Sequence, residues 1–359
     1  MKKIFSICLL SILAVNAWSY DFKVGKLCYN LINGGKNNTV EVTYQKYRAK
    51  DNYAGLTKVE IPATVTYKGV NYAVTDIGEY AFFDCISLKE VTIPSAITNI
   101  GGWAFTGTTL FDDPAYWSND LLIVDGCLIR ANELLSGNYI VRDSIRVVAD
   151  RAFADCQALN SVILNEGVQH VGKEAFSKCF YLRGVAFPKS VKSVGSRAFW
   201  GCTQLIGVQF LDGLLSIGEK LFEGCTSLKV VIIPATLDRI SRGCFIGCSK
   251  LQDFVIPQSV QYVGERVFDG CTSITSLIIP NGVPALGYKI FAGCTAMTSL
   301  VIPRTVTSIG QNAFMDCTAL TDMTFQGTKE EWKAIYKDPT WDINMNCKIV
   351  HCTDGDLAL

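Results

Sequence analysis

The chain has 359 residues, 49% of them hydrophobic and only 18% charged, a length that by itself predicts about two globular domains. Lysine plus arginine and aspartate plus glutamate are equal at 33 each, so the formal net charge is zero. The basic excess that marks nucleic-acid or anionic-membrane partners is missing, which points to recognition by shape and hydrogen bonding.

Residues 1–19 read as an export signal. Lys2 and Lys3 supply a basic start, Ile4–Val15 a short apolar run, and Ala17-Trp18-Ser19 small residues at −3 and −1. Cleavage is expected before Tyr20. The run is shorter than the roughly 20 residues of a spanning helix, and Cys8 inside it comes too early for a lipoprotein acceptor. No later segment reads as a transmembrane span. The expectation is an exported chain, secreted or on the cell surface, with the periplasm also open.

Residues 20–55 stand outside the pattern that follows. Lys23–Asn30 and Thr39–Tyr47 alternate as strands around the turn-rich Asn33-Gly34-Gly35-Lys36-Asn37-Asn38, which predicts a β-hairpin cap. Such a cap would cover the exposed core and unpaired backbone at the end of a stack.

From Leu56 to about residue 326 the chain repeats. Cys156, Cys179, Cys202, Cys225, Cys248, Cys271, Cys294 and Cys317 lie 23 residues apart. Ten phenylalanines mark the coils, 23 residues apart on either side of one break: Phe82 and Phe105, then Phe153, Phe176, Phe199, Phe222, Phe245, Phe268, Phe291 and Phe314. A fixed period between about 20 and 50 residues means a stack of like coils and overrides the two-domain prior. The expected fold is an α/β-type repeat, mostly β: a leucine-rich-repeat solenoid of 23-residue coils with short parallel strands. In Leu251-Gln252-Asp253-Phe254-Val255-Ile256-Pro257, alternation turns Leu251, Phe254 and Ile256 inward and Asp253 and Val255 outward. Pro257 ends the strand, and Gly264 is expected to supply permissive backbone at the turn.

The beat breaks at Thr108, where a cysteine would fall. Residues of about 109–147 read as an insertion with a hairpin, Leu121–Val124 and Cys127–Ile129, on the two-residue turn Asp125-Gly126. Phe111, Tyr116 and Trp117 precede it, and insertions in repeats map to loops on one face, often a binding face. Residues 327–359 read as a C-terminal cap. Thr328-Lys329-Glu330-Glu331 fits a capping box opening a short helix, with Trp332 and Ile335 facing the stack, a strand over Cys347–His351, and a polar Asp354-Gly355-Asp356 tail.

The recurring cysteines sit too far apart for zinc, which wants clustered pairs or histidines; only His170 and His351 exist. Neighbouring in-register side chains project in parallel, a poor fit to a disulfide. A buried small hydrophobe with a weak S–H donor is the favoured reading. Cys347 and Cys352 form the better disulfide pair; Cys28, Cys127 and Cys244 have no assigned partner.

The cassette Ile77-Gly78-x-x-Ala81-Phe82-x-x-Cys85-x-x-Leu88-x-x-Val91-x-Ile93-Pro94 resembles that of the BspA-like leucine-rich repeat proteins, also called the Treponema-pallidum-type class. The resemblance covers about residues 56–326, and the Gly327-Thr328-x-x-x-Trp332 segment is also similar. Leu221, Cys244, Val267 and Ile290 depart from it at the usual alanine. It implies an exported or surface protein of a host-associated microbe, in some members an adhesin toward matrix proteins or other cells, with no catalytic residues.

Nothing in the chain matches a phosphate loop, a zinc-protease helix or a nucleophile elbow, and no cofactor is implied. His170 reads as a solvent-facing turn residue and His351 as structural. A partner surface is expected on the outward side of the sheet at Gln209, Ile232, Val255, Ile278 and Val301 with Asp253 beside them, together with Phe111, Tyr116 and Trp117. The expected function is a non-enzymatic binding or adhesion protein holding a host matrix protein, another cell or a glycan. The alternatives are a structural spacer or envelope scaffold, and a glycan-processing accessory module with a carboxylate pair among Asp112, Asp113 and Asp125.

Overall fold

A computed structural model describes residues 20–48, 52–142 and 144–359; the export signal expected at residues 1–19 lies outside them. The chain winds as a mostly-β solenoid. Most coils contribute two short strands, which pair in parallel with those of the neighbouring coil. One ladder runs through Gly137–Val141, Leu159–Leu164, Gly184–Ala186, Gly207–Gln209 and Val230–Ile232. A second, on the far side of the coil, joins Val147–Val148, His170–Val171, Ser193–Val194 and Ser216–Ile217. Pairing sets residue i against residue i+23, as in Val185 with Val208, so each coil places its side chains over those of the last.

This register turns the repeat into continuous core columns. The Phe153, Phe176, Phe199 and Phe222 rings stack with centroids 5.0, 5.3 and 5.3 Å apart. Offset ring contacts at these spacings add to the burial of each side chain. The stack from Phe153 ends at Trp341, edge-on to Phe314 at 5.6 Å; before the insertion a shorter stack of Phe82 on Phe105 at 5.5 Å is closed by Tyr53, tilted against Phe82 at 5.4 Å. Beside the rings each repeat cysteine from Cys179 to Cys317 donates its thiol to the phenylalanine carbonyl of the preceding coil, as Cys179 Sγ to Phe153 O at 3.0 Å and Cys225 Sγ to Phe199 O at 3.1 Å; Cys85 and Cys156 donate instead to Asn52 O and Asn132 O. The phenylalanine carbonyl already accepts an amide within its own coil, so the thiol fills its second lone pair. Burial pushes the Cys85, Cys156 and Cys317 thiols up to about 12; these are unreactive core groups.

The glycine that follows the second strand has a different role from the one its turn position suggests. Gly264 does not adopt a left-handed conformation; Arg266 and Gly270 do, at φ +56° and +76°. The glycine is needed because coils touch there. A Cβ on Gly195 would lie 2.4 Å from the Lys173 amide nitrogen, and one on Gly218 would lie 2.1 Å from that of Ser196. Ser241 occupies the same position one coil later. There the second ladder ends at Ser216–Ile217 and restarts at Arg239–Ile240, and the Ser241 hydroxyl donates to Ile217 O at 2.7 Å where neighbouring coils use the glycine amide.

The strand expected at Leu251–Ile256 is also not formed. Residues 251–257 carry no ladder pairing, and the first ladder resumes only at Ser276–Ile278. Asp253 sits at φ +44°, a left-handed conformation that aspartate tolerates but a strand does not. Phe254 replaces the smaller residues of its column and wedges between the Phe245 and Phe268 rings at 4.9 and 5.4 Å. Inward and outward facing nevertheless follows the expected alternation: Leu251, Phe254 and Ile256 are buried, Asp253 and Val255 exposed.

At the start of the chain the first expected strand is divided. Phe22–Val24 and Leu27–Leu31 form their own hairpin around Gly25, at φ +59°, and Leu27–Leu31 then pairs antiparallel with Thr39–Thr43. Thr39–Thr43 runs parallel to Val70–Ile77, linking this sheet to the first coil. At the other end Thr328 and Glu331 make a reciprocal capping box on the helix Lys329–Ala334, and Trp332 and Ile335 are buried. Cys347 and Cys352 are both free thiols rather than a pair. The expected polar tail is a strand, Gly355–Ala358, folded back on Ile349–Cys352.

Candidate functional site

Two surfaces depart from a uniform stack. The first is the outward side of the first ladder. Gln209 is exposed, Ile232 is 49%, Val255 75% and Ile278 59% exposed, and Val230 beside them is 49% exposed. Val301, at the end of the column, is half-buried, and Asp253 stands exposed next to Val255. Toward the N-terminal end the same side is charged, with Lys58 bridging Glu60 and Glu90 at 3.6 and 3.4 Å. Isolated exposed aliphatics need no explanation, but neighbouring ones on adjacent coils make a patch. The patch crosses the unpaired segment 251–257, and Val255 within it is the most exposed of the four.

The second surface is built by the insertion. Thr108, in the cysteine position, donates its hydroxyl to Phe105 O at 2.7 Å and accepts the Phe111 amide at 3.1 Å. It therefore caps the short helix Thr109–Asp112 and turns the chain out of the coil. Asp113 Oδ1 then accepts from the Ala115 amide at 2.9 Å, opening a single 3-10 turn, Pro114–Tyr116. The hairpin Leu121–Val124 and Cys127–Ala131 follows, its turn residues Asp125 and Gly126 both left-handed at φ +44° and +71°, as a two-residue loop requires. Asp125 Oδ2 accepts the Ile93 amide at 2.7 Å and pins the hairpin tip to the stack. Cys127 and Leu128 pair in parallel with Val147 and Val148, so the hairpin takes the place of a coil strand. The first ladder resumes at Gly137–Val141, earlier than residue 147.

Between the insertion and the coils at Ile100–Thr106 and Ala149–Arg151 lies a cleft of about 810 Å³. Phe111 and Trp117 line it, meeting edge-to-face at 5.8 Å and 80°. Trp117 Nε1 donates to Phe111 O at 2.9 Å. Tyr116 is 36% exposed and stays outside the lining. Trp103 borders the cleft, sandwiched between the Tyr80 ring at 5.3 Å and the Arg151 guanidinium at 4.6 Å. Asp150 lines it too; burial, opposed by the Lys173 amide and charge, raises its carboxyl to about 7. Asp112, Asp113 and Asp125 do not converge as a pair: only Asp112 lines the cleft, while the other two hold backbone amides.

The histidines sit elsewhere. His170 is not a free turn residue: it lies half-buried in the second ladder, its Nδ1 2.8 Å from Ser193 Oγ. Burial first, then the Arg146 charge, lowers its pKa. His351 Nδ1 lies 2.7 Å from Asp356 Oδ1 across the last hairpin, which raises its pKa.

The BspA type leucine rich repeat region matches this chain in six copies over residues 51–113, 135–252 and 238–338. The chain belongs to the BspA-type leucine-rich repeat family. Such repeats are protein-binding scaffolds, and no helix among the described residues is long and apolar enough to cross a membrane. Solved structures similar to it include a leucine-rich repeat protein from Bacteroides ovatus, 25% identical over 89% of this chain and 98% of that one, with a TM-score of 0.44. Another is a leucine rich cell surface protein from Faecalibacterium prausnitzii, 21% identical over 88% and 97%, with a TM-score of 0.34. The Treponema pallidum leucine rich repeat protein is 18% identical over 84% and 90%, with a TM-score of 0.32. No curated protein matches the chain. The BspA-type match skips residues 114–134, the stretch that carries Trp117 and the hairpin.

Proposed function

We propose that this chain is an exported, non-enzymatic adhesion protein that holds a protein partner of the host or of another cell on the outward side of its first ladder. The observation that carries the reading is the apolar patch of Val230, Ile232, Val255 and Ile278 on adjacent coils, each at least 49% exposed. Burying such a patch supplies association energy at about 25 cal/mol per Å² of apolar area, and interaction sites are where soluble proteins tolerate one. The zero net charge is in keeping with a partner recognised by shape. Gln209, Asp253 and Val301 stand at the rim, where polar or half-covered groups set register more than affinity.

The test uses the chain from Tyr20 to Leu359 on a panel of immobilised host matrix proteins, with the double substitution Val255→Asp/Ile278→Asp alongside. Both side chains point to solvent, so the variant should keep its circular dichroism and melting temperature. Saturable binding that falls at least tenfold in the folded variant supports the reading. Undiminished binding would place the partner elsewhere, and no binding to any panel member would leave the spacer as the better account.

A further inference from the structure

The cleft beneath the insertion has a lining whose chemistry selects among ligands. Its volume, about 810 Å³, lies in the range of small-ligand sites. The two arginines of the lining are already engaged. Arg130 pairs with Glu133 at 2.7 Å and donates to Arg151 O; Arg151 pairs with Asp155 at 3.1 Å and with Glu174 at 2.5 Å while covering Trp103. Among the described residues of the lining no unpaired cation is left to meet a phosphate, a sulfate or a carboxylate. The aromatic wall, in contrast, is free on its cleft side. Trp117 has spent its only donor on Phe111 O, so what it offers a ligand is an apolar ring held in place. Around that ring stand acceptors and amides: Asp112, exposed and without an ion-pair or side-chain hydrogen-bond partner among the described residues, and Asn132, whose Oδ1 accepts the Leu134 amide at 3.0 Å and whose amide nitrogen reaches Asp120 Oδ1 only at 3.4 Å.

An aromatic platform beside carboxylate and amide groups, with the positive charge neutralised, matches a ligand that is uncharged, rich in hydroxyl donors and apolar on one face. We propose that this cleft is a second binding site, separate from the sheet patch, and that it takes a neutral sugar unit of a glycan. The C–H face of the sugar lies on Trp117, with the perpendicular Phe111 ring bounding it, and its hydroxyls donate to Asp112 and accept from the Asn132 amide nitrogen. Of the other carboxylates in the lining, Glu133 is paired with Arg130, Asp120 accepts from Asn132 and Asp150 accepts the Lys173 amide, which leaves Asp112 as the acceptor open to a ligand. The BspA-type match passes over residues 114–134, so Trp117 and Asn132 belong to this chain's insertion, while Phe111 and Asp112 stand at the end of the matched segment 51–113.

The experiment is titration of the chain from Tyr20 to Leu359 with neutral di- to tetrasaccharides of glucose, galactose, mannose and N-acetylglucosamine, read by calorimetry at low and high salt. Expected is saturable binding of at least one series that is insensitive to salt. It should weaken at least tenfold in Trp117→Ala and severalfold in Asp112→Asn, and be unchanged in Val255→Asp/Ile278→Asp. Asp112 is exposed, so its variant guards against a misfolded Trp117→Ala. No binding by any series, binding that survives both cleft substitutions, or a preference for lysine-rich peptides lost at high salt would overturn the proposal. The double substitution on the sheet separates its failure from failure of the protein-binding reading.

Discussion

The coils from Cys156 to Cys225 and those from Ser241 to Cys294 have the same cassette and different cohesion. In the first group both ladders are continuous, the phenylalanine rings lie 5.0–5.3 Å apart, and the thiols of Cys179, Cys202 and Cys225 meet phenylalanine carbonyls at 3.0–3.1 Å, while Cys156, next to the insertion, meets Asn132 O at 3.4 Å. In the second group both ladders are interrupted, the rings from Phe222 to Phe291 lie 5.6–5.7 Å apart, and the thiol bonds lengthen to 3.2 Å. The core columns run through the interruption; the strand ladders do not. A solenoid of this kind is held along its axis by side-chain columns and strand ladders in parallel, and a ladder can lapse while the columns run on. The apolar patch crosses this weakened stretch.

The largest test of that contrast removes a ring. Phe245→Ala deletes the main axial contact where the ladders are already broken. It should cost about 3–5 kcal/mol and split thermal unfolding, followed by calorimetry, into two transitions. Phe176→Ala should cost a similar amount and leave one. Next, Gly218→Ser imports the Ser241 situation into the regular group. With the Ser196 backbone 2.1 Å from the new Cβ, a loss of about 2 kcal/mol in denaturant unfolding is expected.

A smaller effect concerns Asp150. Its folded carboxyl is raised to about 7, while the unfolded chain titrates near 3.9. Between those values the unfolded state gives up the proton first, so stability falls as pH rises from about 4 to about 7. Asp150→Asn removes this slope. The variant should gain on the order of 1–2 kcal/mol relative to the natural chain at pH 8, after allowing for solvent screening, and nothing at pH 4. The smallest expected change is a gain: Ser241→Gly restores the contact glycine and should raise stability by up to about 1 kcal/mol, the entropy of glycine offsetting part of the benefit.

The stack itself was legible from residues because its signal repeats. The spacing of the cysteines and phenylalanines, the inward and outward alternation around Val255, and the capping box at Thr328 all express local rules that hold coil after coil. The interruptions were not legible, because they arise from contacts between coils. Ser241 is an ordinary turn residue until the Cβ distance to the preceding coil is known, and the glycines it replaces read as turn formers when their role is close approach. Asp253 and Phe254 fit the strand pattern and still leave the ladder, one through its backbone and the other through its size. Of the site, the exposed column and the aromatic insertion were visible in the sequence. The cleft was not: it needs Trp103, Asp150 and Arg151 from two coils brought against Phe111 and Trp117. The engagement of both arginines can be seen only in three dimensions.

The account's central claim is that the sheet side carries the partner. The most direct measurement places a photoreactive residue at Val255 and, in a second variant, at Leu215, which is 62% exposed and leads into the far-side ladder. Crosslinking to the captured protein from position 255 and not from 215 is the predicted result. Crosslinks from 215, with none from 255, would contradict it.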